Sequence, residues 1–165
     1  MKLTSSDMFL KLDGIDGQST DKGHSNWIEI LDLNFGSQQE VTLQRGADVA
    51  GRGIFKPIII VHLVDKATPK FQQFCMNGQK IAKGEFCVCR AIAGVQVPVF
   101  EVKMENIKIK SATISMPEVE GDGRADPIET VELLAGKITW KVTPIKADNT
   151  KDGAIEASFD QISNS

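Results

Sequence analysis

A chain of 165 residues has the length of one domain, and it can bury a core without disulfides or a metal to hold it together. Nineteen Lys and Arg against 22 Asp and Glu leave a formal charge of −3, which excludes the basic field that a nucleic-acid partner requires. The balance of 41% apolar and 25% charged residues is that of a soluble globular protein, and no stretch approaches the ~20 apolar residues that span a bilayer. The opening Met1-Lys2-Leu3-Thr4-Ser5-Ser6-Asp7 has neither an apolar h-region nor a cleavage-site pattern, so cytoplasmic synthesis without a secretory signal is expected. Three cysteines, an odd number, cannot complete a disulfide framework and fit a reducing compartment.

In chain order, Met8, Leu10 and Leu12 alternate with Phe9, Lys11 and Asp13 in the period of a strand. Residues 27–35 predict a second strand. A long β-branched run over 54–64 predicts a third, with Pro57 marking an edge or a bulge. Residues 69–76 read as the one helix. Thr68 is placed to cap it, Pro69 occupies its first position, Phe71, Phe74 and Cys75 form one apolar stripe, and Gly78 suits the left-handed position beyond its end. Segments 85–92 and 95–104 flank Ala93-Gly94, a hairpin signal. Further strands are expected over 107–116, 129–134, 137–143 and 154–160. Segments 36–53, 118–127 and 146–153 read as loops, and the first is long for a compact domain. Many short strands with a single helix predict a mainly β fold of the barrel or sandwich type, one domain over 1–165, with a flexible start to about residue 6 and a polar tail over 146–165.

No catalytic constellation emerges. His24 lies in a polar loop and reads as a locally hydrogen-bonded histidine rather than a general base. His62 shares its strand face with Ile58, Ile60 and Val64 and reads as a satisfied, partly buried histidine. Cys87 and Cys89 flank Val88 and point to one face. With Cys75 and a histidine they would make four zinc ligands, but knuckles on turns are the usual setting, so small buried hydrophobes are expected and no metal. Residues 120–126 lack the spacing and closing Glu of a calcium loop, and Gly51-Arg52-Gly53 lacks the Gly-Lys-Ser/Thr of a phosphate loop.

Several stretches in order carry a family resemblance. They are Asp7-Met8-Phe9-Leu10-Lys11-Leu12-Asp13-Gly14-Ile15-Asp16-Gly17, Ser19-Thr20-Asp21 with His24, Ile28-Glu29-Ile30-Leu31, Phe35-Gly36 and Asp65-Lys66-Ala67-Thr68-Pro69-Lys70. Cys89-Arg90-Ala91, Glu129-Thr130-Val131-Glu132-Leu133, Gly136-Lys137-Ile138-Thr139-Trp140 and Thr143-Pro144 continue the series. Together they resemble the Hcp family, the tube proteins of the bacterial type VI secretion system. The resemblance implies a two-sheet β-barrel with one flanking helix, and a structural subunit with no enzymatic activity and no cofactor; the length of the 36–53 loop adds the expectation that it projects from the barrel. The resemblance further implies a homo-hexameric ring that stacks on further copies of itself into a hollow tube. Its partners would be a contractile sheath, a spike trimer at the tip and small effector proteins, with no membrane insertion. Export would run through the machine itself. Two other classes stand beside this one. A monomeric β-barrel that binds a small ligand would need a polar, open mouth, and the chain has no tyrosine and only two tryptophans to line it. A toxin-bearing variant would need more than the roughly twenty residues after Pro144. Within the long loop, Val41 and Leu43 suit a short extended arm, and Arg45, Asp48 and Arg52 supply charges of both signs for contact with the next ring.

Overall fold

The computed structural model describes residues 6–43, 46, 49–119, 121, 123, 124 and 126–165. β1 (Ser6–Leu12) leads through a loop to β2 (Ile28–Ile30) and β3 (Asp32–Asn34). These two take the place of the single strand expected over 27–35. The break at Leu31 has a structural purpose: β2 pairs with β1 while β3 pairs with β8 (Ile58–Leu63), and the Leu31 amide donates to Val61 O. One bent segment thus joins both ends of the path β2-β1-β9-β10-β13-β8-β3, and the eight-stranded sheet closes almost into a barrel. Between β3 and β8 run four two-residue strands, β4 (Ser37–Gln38), β5 (Val41–Thr42), β6 (Val49–Ala50) and β7 (Ile54–Phe55). Pro57, with no amide to donate, separates β7 from β8.

The helix α1 (Thr68–Asn77) is slightly longer than the sequence predicts, and its cap is different. Thr68 is its first residue, not its cap. Thr68 Oγ1 accepts the Asp65 amide at 3.2 Å, and Asp65 Oδ1 accepts the Ala67 amide at 2.8 Å, so the two side chains close the lead-in turn reciprocally. Gly78 ends the helix in the left-handed conformation at φ 67°, as expected.

The long hairpin β9 (Ile81–Ile92) and β10 (Val95–Ser115) turns on Ala93 and Gly94, both at positive φ. β11 (Glu118–Val119) and β12 (Gly123–Arg124) form a small ladder, β13 (Ile128–Val142) spans the barrel, and β14 (Ile155–Asp160) pairs with its second half. Two pairs of expected strands are therefore continuous. The interruptions read at 105–106 and 135–136 face each other: Glu105 pairs with Lys137 and Ile107 with Ala135, leaving Asn106 opposite Gly136. Asn106 adopts φ 55° at that one station while the ladder continues on both sides. Two poor strand formers mark a local distortion here, not an end.

The interior is filled from every strand of the closed path. Leu10, Ile28, Ile58, Ile60, Phe86, Ile107, Val131 and Leu133 are fully buried, and Phe71 and Phe74 of α1 pack into the same cluster. Among these apolar groups lies a polar seam. His62 and Glu129 are directly opposite in the β8–β13 ladder, both wholly buried, with Nε2 2.8 Å from Glu129 Oε1. Gln72 of α1 donates to Glu129 Oε2 at 2.8 Å and to Ala112 O at 3.1 Å. Asp65 Oδ2 stands 3.5 Å from His62 Nδ1, an ionic contact too poorly aligned for a hydrogen bond, and the Phe71 ring packs edgewise on the imidazole. Burial alone would lower the pKa of His62; the carboxylates of Asp65 and Glu129 outweigh it and raise it from 6.5 to about 9.

Two predictions follow from this packing. The charged His62 stabilises the fold fully below its unfolded pKa of 6.5, and that contribution is lost as pH rises through about 9. Urea midpoints are expected to fall between pH 7 and 10 in the wild type and to stay nearly level in the His62→Gln/Glu129→Gln double variant. Glu129→Ala, which leaves a buried imidazolium without its main partner, should cost about 3–5 kcal/mol. The second concerns Gly17, where a Cβ would lie 2.4 Å from Trp27 O and 2.5 Å from Ile28 Cα. These are backbone atoms that cannot rotate aside, so Gly17→Ala should lower stability by about 1–3 kcal/mol. Gly23→Ala, with its nearest neighbour at 3.6 Å, should stay within about 0.5 kcal/mol of wild type in the same melts.

Candidate functional site

Three surfaces carry the residues that the sequence singles out. The first is the arm formed by β4–β7. Two short ladders in series, Ser37 to Phe55 and Gln38 to Ile54, then Val41 to Ala50 and Thr42 to Val49, make the long loop a hairpin. Further bonds from the Lys56 amide to Gly36 O, from the Gly51 amide to Glu40 O and from Gln39 Nε2 to Gly51 O brace it. Val41 and Leu43 are strongly exposed. Arg45 and Asp48 lie outside the described residues. Arg52 is engaged within the chain: its guanidinium donates to Gln161 O and Ile162 O, both at 2.9 Å. Gln161 Oε1 in turn accepts the Phe55 amide, and Phe55 packs edgewise on Trp140 and Phe159. The arm's base and the C-terminal strand thus form one unit. The polar tail contributes the strand β14, close to the short strand expected over 154–160.

The second surface is the outer face of β1, β9, β10 and β13. Lys103 stands opposite Glu85, Glu105 lies between Lys83 and Lys137, and Glu101 stands opposite Lys141. Ion pairs of 3.6 Å (Lys137–Glu105) and 3.7 Å (Lys141–Glu101) cross the strands. The face is a checkerboard of balanced charge, and partly exposed pairs of this kind add little stability.

The third lies beneath the loop between β1 and β2, on the far side of the sheet from the main core. Phe9 pairs with Cys87 in register, and Phe9, Cys87 and Cys89 form a separate buried cluster against Trp27. His24 closes it. Its ring stacks on Phe9 at 4.4 Å, Nδ1 lies 2.7 Å from Asp21 Oδ2, and Nε2 faces Cys89 Sγ at 3.9 Å. The two sulfurs are 3.2 Å apart. Burial raises both thiols above the ordinary cysteine value, Cys87 strongly, so both are neutral. His24 does bond locally, as its loop position predicts. Sequence spacing missed its meeting with the cysteines, because β1 carries Phe9 to the outer face and the loop folds back over it. Cys75 takes no part and packs against the main core from α1.

The comparisons with known proteins agree with this architecture. A family profile described as "Type VI secretion system effector, Hcp" matches residues 9–142. The chain is 26% identical over 149 residues to Protein hcp1 of Pseudomonas aeruginosa, covering 89% of each, and 25% identical over 130 residues to the Major exported protein of that organism, covering 75% of this chain and 73% of the relative. A solved type six secretion system protein superposes with a TM-score of 0.87 at 26% identity, over 98% of this chain and 99% of that one. Hcp1 from Salmonella typhimurium shares the fold with a TM-score of 0.79 over 98% of both chains. With the profile match spanning most of a barrel that the solved relatives share, the chain belongs to the Hcp family of the type VI secretion system, a family of structural tube proteins and not of enzymes.

Proposed function

We propose that this protein is the repeating subunit of a type VI inner tube: six copies close into a ring, rings stack, and contraction of a surrounding sheath expels the tube with a spike trimer at its tip. The observation that carries this reading is the number of large apolar side chains left outside the barrel. Leu31, Val95, Ile114, Met116 and Ile155 are all about half exposed or more, distributed over β10 and the residue after it, β14 and the bend between β2 and β3. A single subunit gains nothing from presenting them to water, whereas a ring buries them between neighbours. The outer edge of β14 is likewise open among the described residues, and neighbouring subunits protect such edges.

The checkerboard face offers a hydrated wall of balanced charge, suited to a lumen that holds small effector proteins without trapping them. The arm is the stacking element. Arg52 fixes its base to the C-terminal turn, and Arg45 and Asp48 meet the next ring. Export through the machine itself accords with the Major exported protein among the relatives.

Light scattering at tens of micromolar should give about six times the 18.0 kDa chain mass; a monomer alone would overturn the ring, since each specific interface should bury at least ~1,000 Å². The double charge reversal Arg45→Glu/Arg52→Glu should leave rings intact while reducing tube length in electron micrographs and lowering export. Tubes of normal length and normal export in that variant would remove the arm from stacking.

A further inference from the structure

The geometry of the buried cluster of His24, Cys87 and Cys89 is that of a ligand set. We propose that these three side chains bind one zinc ion per chain, with a water in the fourth position. Their donor atoms all lie within 4.8 Å of one another. Around one tetrahedral zinc two sulfurs stand roughly 3.8 Å apart and a nitrogen and a sulfur roughly 3.5 Å; here the sulfurs are 3.2 Å apart and His24 Nε2 is 3.9 Å from Cys89 Sγ, so binding moves each pair by only a few tenths of an ångström. The expectation of a metal-free protein rested on the mid-strand placement of Cys87 and Cys89, since turn knuckles are the usual setting for zinc. The fold leaves Cys75 out of the set and brings His24 to the two sulfurs.

The surroundings fit the assignment. Asp21 Oδ2 accepts the Nδ1 proton of His24, which leaves the Nε2 lone pair directed at the sulfurs; a carboxylate behind a ligating histidine is the usual means of fixing its tautomer. A bulge in β10 after Pro98, opposite Cys89, bends the sheet at this point. Beside the cluster opens a cleft of ≈ 420 Å³ whose lining includes Asp7, Phe9, Asp21 and Glu29. Three carboxylates there draw a divalent cation toward the sulfurs and provide its route inward. Binding displaces one proton from each thiol. Zn²⁺ with two thiolates and a neutral imidazole is then uncharged, which suits a buried position, whereas Cu⁺ in the same ligands would leave a net negative charge beside the three carboxylates. No fourth protein ligand from the titratable groups joins the three among the described residues, so water takes the fourth position.

The test is competition between the full-length, chelator-stripped protein and a chromophoric zinc chelator, with two protons released per zinc measured in weakly buffered solution. One zinc per chain is expected. Cys87→Ser and Cys89→Ser should abolish binding, Asp21→Asn should weaken it by about 10–100-fold, and Cys75→Ser should leave it unchanged. Because serine in a buried position can destabilise the fold, X-ray absorption on the zinc-loaded wild type gives an independent reading: two sulfur and two nitrogen or oxygen scatterers. Absence of stoichiometric zinc, binding that survives loss of both thiols, a shell of oxygen and nitrogen alone, or tighter binding of Cu⁺ than of Zn²⁺ would each overturn the assignment.

Discussion

The pairing of His62 with Glu129 is the constraint around which the barrel is arranged. Both groups are wholly buried and lie directly opposite each other in a ladder of only six residue pairs. A slip of one residue would turn His62 to the outer face and leave the Glu129 carboxylate inside without its partner, a larger penalty than any single apolar contact in that ladder returns. The ion pair therefore sets the register of the strand that closes the sheet. It also accounts for the helix. The second oxygen of Glu129 needs a donor, and Gln72 reaches across from α1 to supply it while Phe71 covers the imidazole. Helix position, strand register and barrel closure are three consequences of satisfying one carboxylate.

With the interior so determined, the outer faces are free to differ. One is a hydrated lattice of alternating Lys and Glu over β9, β10 and β13. Another is dry, because the loop after β1 folds back through Gly17 and lays His24 and Trp27 over Phe9 and the two cysteines. The close approach at Gly17, held by its amide to Asn26 O and by the Ser19 amide to Trp27 O, keeps that cover down. The zinc site depends on the same cover, since His24 reaches the sulfurs only through it.

The arm and the tail show how distant segments become one surface. Arg52 and Phe55 lie more than a hundred residues from Gln161 and Ile162 yet share three hydrogen bonds with them, and Phe159 and Trp140 pack on Phe55. A change in the last residues is therefore felt at the base of the arm, and in a stacked assembly it would alter how the arm meets its neighbour.

Local chemistry alone was enough to read a good part of this protein. The alternation in β1, the β-branched run of β8, the Ala93-Gly94 turn and the lead-in and end of α1 all depend on neighbours within a few residues, and each stands close to where it was read. The order of short shared stretches was enough to indicate the family. Where the reading failed, the deciding contact was distant. Asn106 and Gly136 looked like two strand ends because their pairing across thirty positions is invisible in sequence, and the strand over 27–35 looked single because its two halves serve different partners. His62 read as partly buried and satisfied, but that a carboxylate 67 residues away satisfies it is decided by register. The meeting of His24 with Cys87 and Cys89 was likewise settled only by the tertiary structure: periodicity assigns a side chain to a face, and only the closed sheet and the loop folded over it decide what else comes to that face.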